Sequence, residues 1–348
     1  MSEAPRKGLN LALQGGGAHG AYAWGVADRL LESRRVTLNA ITATSAGAMN
    51  AAVIAYGHAK GGDEGAREAL EGFWRKVSEM KGLMGVPDVP EPWRSLVPGL
   101  ADAEQMISFA VMELAALSLS PYQFNPVNYN PLRVVLEEAV DFDVIHREGD
   151  IKLFISATNV RSGKVRVFRK EEVTLDAVMA SACLPQLFQA VEIGGEAYWD
   201  GGYMGNPSLW PLFYETDVED LLVVHINPIE RDEVPMTAAQ IDNRINEITF
   251  NSALLKEMRA VAFVQKLLRD KWVTQTHAAE LSDIKFHAIR ADKTLKDLSL
   301  ASKYDTSWGF LCDLRDRGRR AAESWLDANW DAVGERGTVD LHAEFLDL

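Results

Sequence analysis

Three short stretches of this chain hold residue types that could do chemistry together. Ala43-Thr44-Ser45-Ala46-Gly47 sets a serine between an apolar run and a helix-forming stretch. Gln14-Gly15-Gly16-Gly17-Ala18-His19-Gly20 offers consecutive backbone amides that could hold a negative charge, and Asp200-Gly201-Gly202 supplies a carboxylate far downstream. A serine hydroxyl is a weak nucleophile at neutral pH; it needs a base to take its proton and a turn that exposes it. With amides placed to stabilise a developing oxyanion, the set reads as acyl-transfer chemistry.

Each piece also has a plainer reading. A strand-to-helix elbow would put Ser45 on a strained turn and calls for small residues two positions either side. Gly47 meets that demand, while Ala43 adds one methyl on the other side. The same pentapeptide describes a serine at a helix N-cap, and an Asp-Gly step is first of all a turn signal. Gly15, Gly17 and Gly20 fit G-x-G-x-x-G between a strand and a helix, the dinucleotide fingerprint of a nicotinamide or flavin oxidoreductase. Such a site wants an acid at the end of the second strand to hold a ribose. Residues 39–44 contain none, and Asp28 and Glu32 fall on the first helix, where they are expected to face solvent. The alternative use of the glycine turn is an oxyanion hole from the amides of Gly15, Gly16, Gly17 and Ala18, a concave nest above a helix start. His19 could line that pocket, although a solvent-facing position is the simpler expectation.

A Ser-His-Asp triad needs a histidine. The chain has seven: His19, His58, His146, His225, His277, His287 and His342. His225 and His287 fall inside apolar strands, and none stands where a mobile base is expected. Asp200 is left as a direct base for Ser45, a dyad in place of a triad.

The elements that must position these groups follow from periodicity and breakers. Residues 9–13 and 39–44 read as buried strands, with helices over 21–33, over 46–56 closed by Gly57, and over 63–80. This alternation predicts a parallel sheet with helices on its faces. Residues 81–129 break the rhythm with Pro87, Pro90, Pro92 and Pro98; within them 106–119 is apolar on nearly every face, so it belongs in the core or forms a lid or lipid-entry element. Strands are expected at 151–158 and 164–169, a short helix at 174–183, a hairpin about Gly194-Gly195 that delivers Asp200, and a strand at 221–226. Beyond Arg231 long helices dominate, at 238–270 and 306–329.

Composition narrows the function further. With 348 residues, 47% hydrophobic and 25% charged, the chain has ample material for a core. A net charge of −14 argues against a nucleic-acid partner. It also opposes strongly anionic bilayers, unless a local patch allows peripheral membrane contact. Cys183 and Cys312 give neither a disulfide framework nor metal-ligand spacing. The polar first ten residues lack a secretory core, and no window reaches the roughly 18 apolar residues of a spanning helix. The chain reads as soluble and cytoplasmic.

The three motifs, in this order and spacing, resemble the patatin-like phospholipases, with Gly15 to Gly20 as the oxyanion loop, Ser45 in the elbow and Asp200 in the D-G-G/A motif. Ser181-Ala182-Cys183-Leu184-Pro185 is similar to the small-residue stretch ahead of that family's aspartate. His19 stands where the family usually carries Arg or Lys, and Ala43 replaces the first elbow glycine. The resemblance implies a three-layer α/β/α sandwich with a mainly parallel central sheet over residues 8–230, and a helical extension over 231–348. It implies a serine acyl-ester hydrolase acting on lipids, catalytic residues Ser45 and Asp200, and no metal or cofactor. A lipid or acyl-binding protein without catalysis on the same fold is the rival, ahead of the oxidoreductase. The C-terminal helices are open to packing on the core or forming a homodimer.

Overall fold

A computed structural model describes residues 6–80, 119–274, 281 and 283–346. Most of the expected lid segment, residues 81–118, lies outside them. One eight-stranded sheet organises the rest, comprising β1 (Lys7–Leu13), β2 (Val36–Ala43), β3 (Lys152–Asn159), β4 (Val165–Arg169), β5 (Val191–Ile193), β6 (Glu196–Asp200), β7 (Asp220–His225) and β8 (Lys285–Arg290). Its order is β5-β6-β3-β2-β1-β7-β8, with β4 also paired to β3. The five strands from β3 to β8 through the centre are mutually parallel, while β4 and β6 run antiparallel to β3, and β5 pairs antiparallel with β6.

The central strands are apolar on both faces, as strands covered twice must be. Leu9, Leu11 and Leu13 of β1 enter one core cluster with Leu153, Ile155, Leu222 and Val224. Ala12 enters a second with Ala40, Phe154, Val223 and Phe286. Strand period two thus divides the interior into two cores, one on each face, which makes three layers. The larger core takes α1 (Gly20–Glu32), α2 (Ala46–Glu79), α4 (Pro131–Ala139), α5 (Phe142–Glu148) and α6 (Leu175–Ser181), with α3 (Pro121–Phe124) short and peripheral. The smaller is covered by α7 (Trp210–Glu215), α8 (Ala238–Arg269) and α10 (Leu341–Phe345), while α9 (Trp308–Asn329) returns to pack on α1.

Two local expectations are corrected. Helix α2 runs past Gly57 and folds back only at Gly61-Gly62, whose φ/ψ values leave the helical region. Gly57 is a crossing point: a methyl there would strike the Gly65 carbonyl of the returning arm. Asp28 is buried instead of solvent-facing, because α9 brings Arg319 onto it while Arg67 Nε reaches it at 2.9 Å. Glu32 shares both arginines.

The sheet branches at β3. β4 pairs with Phe154–Thr158 along one edge. On the other edge β2 ends with Ala43 opposite Ile155, and β6, running the opposite way, ends with Asp200 opposite Ala157. The two strands therefore stop head to head, one β3 residue apart, and the chain following each turns out of the sheet at the same place.

Candidate active site

Ser45 occupies the turn where β2 passes into α2, at φ 56 and ψ −126. That region is sparsely populated by residues with a side chain and is held only when surroundings over-determine it. They do so here. The Ser45 amide donates to Ser181 Oγ at 2.9 Å, and Ser181 Oγ donates to the Ser156 carbonyl at 2.7 Å. Thr44 Oγ1 donates to the Gly205 carbonyl at 2.6 Å. Gly47 lies under the end of β1, where a methyl would strike the Leu13 carbonyl. Ala43 is fully buried in the larger core, so the elbow accommodates its methyl.

Asp200 is completely buried at the end of β6. Its amide donates to the Cys183 carbonyl at 2.7 Å, and its carbonyl accepts from Thr158 Oγ1 at 2.8 Å. Oδ1 accepts the Gly202 amide at 2.7 Å. Burial pushes the carboxyl up to about 7, against the opposing pulls of the Gly202 amide, the Ser45 hydroxyl and the Lys303 charge. Oδ2 has no closed hydrogen bond among the described residues, although the Ser45 hydroxyl stands near enough to favour the ionised form. A carboxylate that titrates near neutrality can take a proton from a hydroxyl and return it, which an ordinary exposed aspartate does poorly.

The glycine turn stands against Ser45: a methyl on Gly15 would approach Ser45 Cβ to 2.5 Å and Oγ to 3.3 Å. Buried amide side chains, given no role on sequence grounds, hold this turn. Asn206 Oδ1 accepts the Gly15 amide at 2.7 Å, and Asn227 Nδ2 donates to the Gly15 carbonyl at 2.8 Å. Gln14 Oε1 accepts the amides of Ile226 and Asn227, and Gln14 Nε2 donates to Asn251 Oδ1 at 3.0 Å. These side-chain amides are themselves all hydrogen-bonded, so their network rigidifies the turn. The Gly15 amide is thereby occupied. No acceptor for the amides of Gly16, Gly17 or Ala18 is present among the described residues.

His19 is buried, contrary to the solvent-facing expectation. Its Nε2 lies 2.8 Å from Ser302 Oγ, and burial, then the Lys303 charge, pushes it down to about 3, so it is neutral. Among the described residues no histidine hydrogen-bonds to Ser45 or Asp200. His58 faces Asp150, His146 bonds the Val173 carbonyl, and His287 bridges Asp220 and Thr338. His225 is buried without a partner and also neutral. The Gly16 and Gly17 positions abut Ile226 and the Lys303 carbonyl oxygen.

Lys303 itself donates from Nζ to Asn227 Oδ1 at 2.9 Å and to Asn246 Oδ1 at 2.8 Å, 5.7 Å from the centre of the Phe250 ring. Phe250 in turn packs on Gly202 and Tyr203. No motif marks Lys303, Asn206 or Asn227; their only sequence signal is that Asn206 follows the Asp200 turn closely.

Comparison with known proteins fits this geometry. Among solved structures, the crystal structure of VipD from Legionella pneumophila aligns over 93% of this chain and 67% of its own, at 14% identity and a TM-score of 0.44, too distant to carry an argument. No curated protein sequence matches. A family model described as Patatin-like phospholipase matches residues 11–213, a span that starts in β1 and contains the glycine turn, Ser45 and Asp200. That span is more than half of the chain, and the protein belongs to the patatin-like phospholipase family.

Proposed function

We propose that this lipid acyl hydrolase works through a Ser45–Asp200 dyad, with the amides of Gly16, Gly17 and Ala18 as its oxyanion hole. The observation that carries the reading is a completely buried carboxylate beside a serine on a strained elbow. Asp200 takes the Ser45 proton as Oγ attacks the ester carbonyl carbon. The carbonyl oxygen becomes the oxyanion, the C–O bond to the alcohol breaks, and Asp200 returns the proton to the departing alkoxide. Water then gives a proton to Asp200 and its oxygen attacks the acyl carbon. As the bond to Ser45 Oγ breaks, Asp200 returns the proton to Oγ and the fatty acid leaves. Each oxyanion donor is worth roughly 10²–10³ in turnover, which is why a rigid glycine turn matters as much as the nucleophile. Gly15, included in the hole on sequence grounds, serves instead as the anchor of the turn, since Asn206 holds its amide.

A lipid substrate must also be met at a surface. Helix α8 carries Phe250 against Gly202 and exposes Ile241, Ile245 and Ile248 at helical spacing, with Met236 just ahead of it. These residues form an apolar approach on the helix that walls the site, and peripheral contact with a lipid aggregate is assigned to them.

Labelling with a fluorophosphonate, followed by peptide mapping, tests the dyad. The adduct is expected on Ser45 and is lost in Asp200→Asn. Folded protein that takes no label at Ser45 would point to acyl binding without catalysis.

A further inference from the structure

Lys303 lies outside the family-matching span of residues 11–213, yet two contacts and its charge join it to the site. Its ammonium is the donor to Asn227 Oδ1, and Asn227 passes that constraint to the Gly15 carbonyl. Its own carbonyl oxygen abuts Gly17, which adopts φ 59 to let the two backbones meet; a methyl there would collide. Its charge acts on the Asp200 carboxylate, and the carboxylate acts back on it. The only side chain of the glycine turn that could carry a charge, His19, is buried and neutral.

We propose that Lys303 is the cation of this catalytic site: a positioning residue that fixes the glycine turn through Asn227 and favours negative charge at Asp200. The inference rests on the dyad reading and deepens it. Residues beyond the family span would then be part of the chemical apparatus.

The charges around Lys303 make this testable by pH. Glu247 and Asp200 favour its charged form, while burial and Arg231 oppose it, and Lys303 is pushed down to about 8. Glu247 is itself held by Arg231 and Arg244, and His19 adds no charge. Around Asp200 stand Ser45 and Lys303, with the buried Cys183 thiol and the Tyr203 hydroxyl both pushed up and uncharged at neutral pH. Among the described residues, Lys303 is therefore the cation whose loss should be read directly in the base.

The experiment compares wild type, Lys303→Met and Lys303→Arg on a soluble short-chain ester across pH 5–10. Lys303→Met is expected to lower kcat on the order of tenfold, less than loss of an oxyanion donor, with KM nearly unchanged. It should move the acid limb to higher pH, because Asp200 loses a stabilising charge. Lys303→Arg should recover most of kcat and remove the wild-type alkaline decline near 8. A folded Lys303→Met with wild-type kcat and acid limb overturns the proposal while leaving the dyad intact. Retention of turnover by Ser45→Ala overturns the dyad and the proposal with it. If Lys303→Met does not fold, the decisive measurement is a ¹⁵N titration of the Lys303 ammonium in wild type and Asp200→Asn. Reciprocal coupling requires a lower pKa in Asp200→Asn, and an unchanged value overturns the proposal.

Discussion

Gly15 and Ser45 are packed as one unit: the space a methyl on Gly15 would need begins 2.5 Å from Ser45 Cβ. The turn that would hold the oxyanion cannot move without moving the nucleophile. Gly15→Ala is expected to reduce kcat/KM by about 10²-fold or more, comparable with losing an oxyanion donor, even where circular dichroism reports a folded protein. Near-wild-type turnover in that variant would mean the turn and the serine are independent.

The Ser45 backbone is strained for any residue with a Cβ, at φ 56 and ψ −126. Ser45→Gly should therefore raise the unfolding free energy by roughly 1 kcal/mol relative to Ser45→Ala, with both variants inactive. Denaturant melts of the pair check this, and equal midpoints would show that the elbow stores no strain.

On the dyad reading, Asp200 sets the acid limb of activity. Its carboxyl must be ionised to act as base, so turnover should rise with pH through about 7 and stay low at pH 5, as a pH–rate profile would show. Stability runs the other way. A folded-state pKa raised from 3.8 stabilises the fold fully below the unfolded value, and that contribution is lost as pH rises through about 7. The interval corresponds to roughly 4 kcal/mol at most. Asp200→Asn should thus melt higher than wild type at pH 8, with the gain vanishing near pH 4. No gain at pH 8 would show that the buried charge is fully compensated.

Ile245→Glu, alone or with Ile248→Glu, places charge on the exposed apolar face of α8. Hydrolysis of phospholipid vesicles should fall severalfold or more while a soluble short-chain ester is turned over as before. Equal losses on both substrates would remove α8 from lipid contact.

The parts of this fold that were legible in sequence are those set by local pattern. The hairpin about Gly194-Gly195, the strands feeding the glycine turn and the elbow, and the helix after Ser45 follow from strand period and breaker residues. Ser45, Asp200 and the glycine turn were recognisable as motifs, and the structure brings them together. Residues whose meaning comes from distant partners were not legible. His19 reads as solvent-facing until Ser302, 283 positions later, covers it. Gly57 reads as a helix stop because its crossing with Gly65 depends on a fold-back that periodicity does not announce. Asn206, Asn227 and Lys303 are ordinary polar residues in sequence, and only tertiary hydrogen bonds give them a role.

The head-to-head ending of β2 and β6 on β3 bears on how the protein is born. Ser45 leaves the ribosome with the first two strands, but Asp200 arrives only when β6 has been made, and the anchors Asn206 and Asn227 follow later still. Pairing elements so far apart in the chain is slow compared with forming local ones. On the dyad reading, a nascent chain carries Ser45 through a long stretch of synthesis before the carboxylate that would activate it exists, and hydrolysis waits for the seam to close.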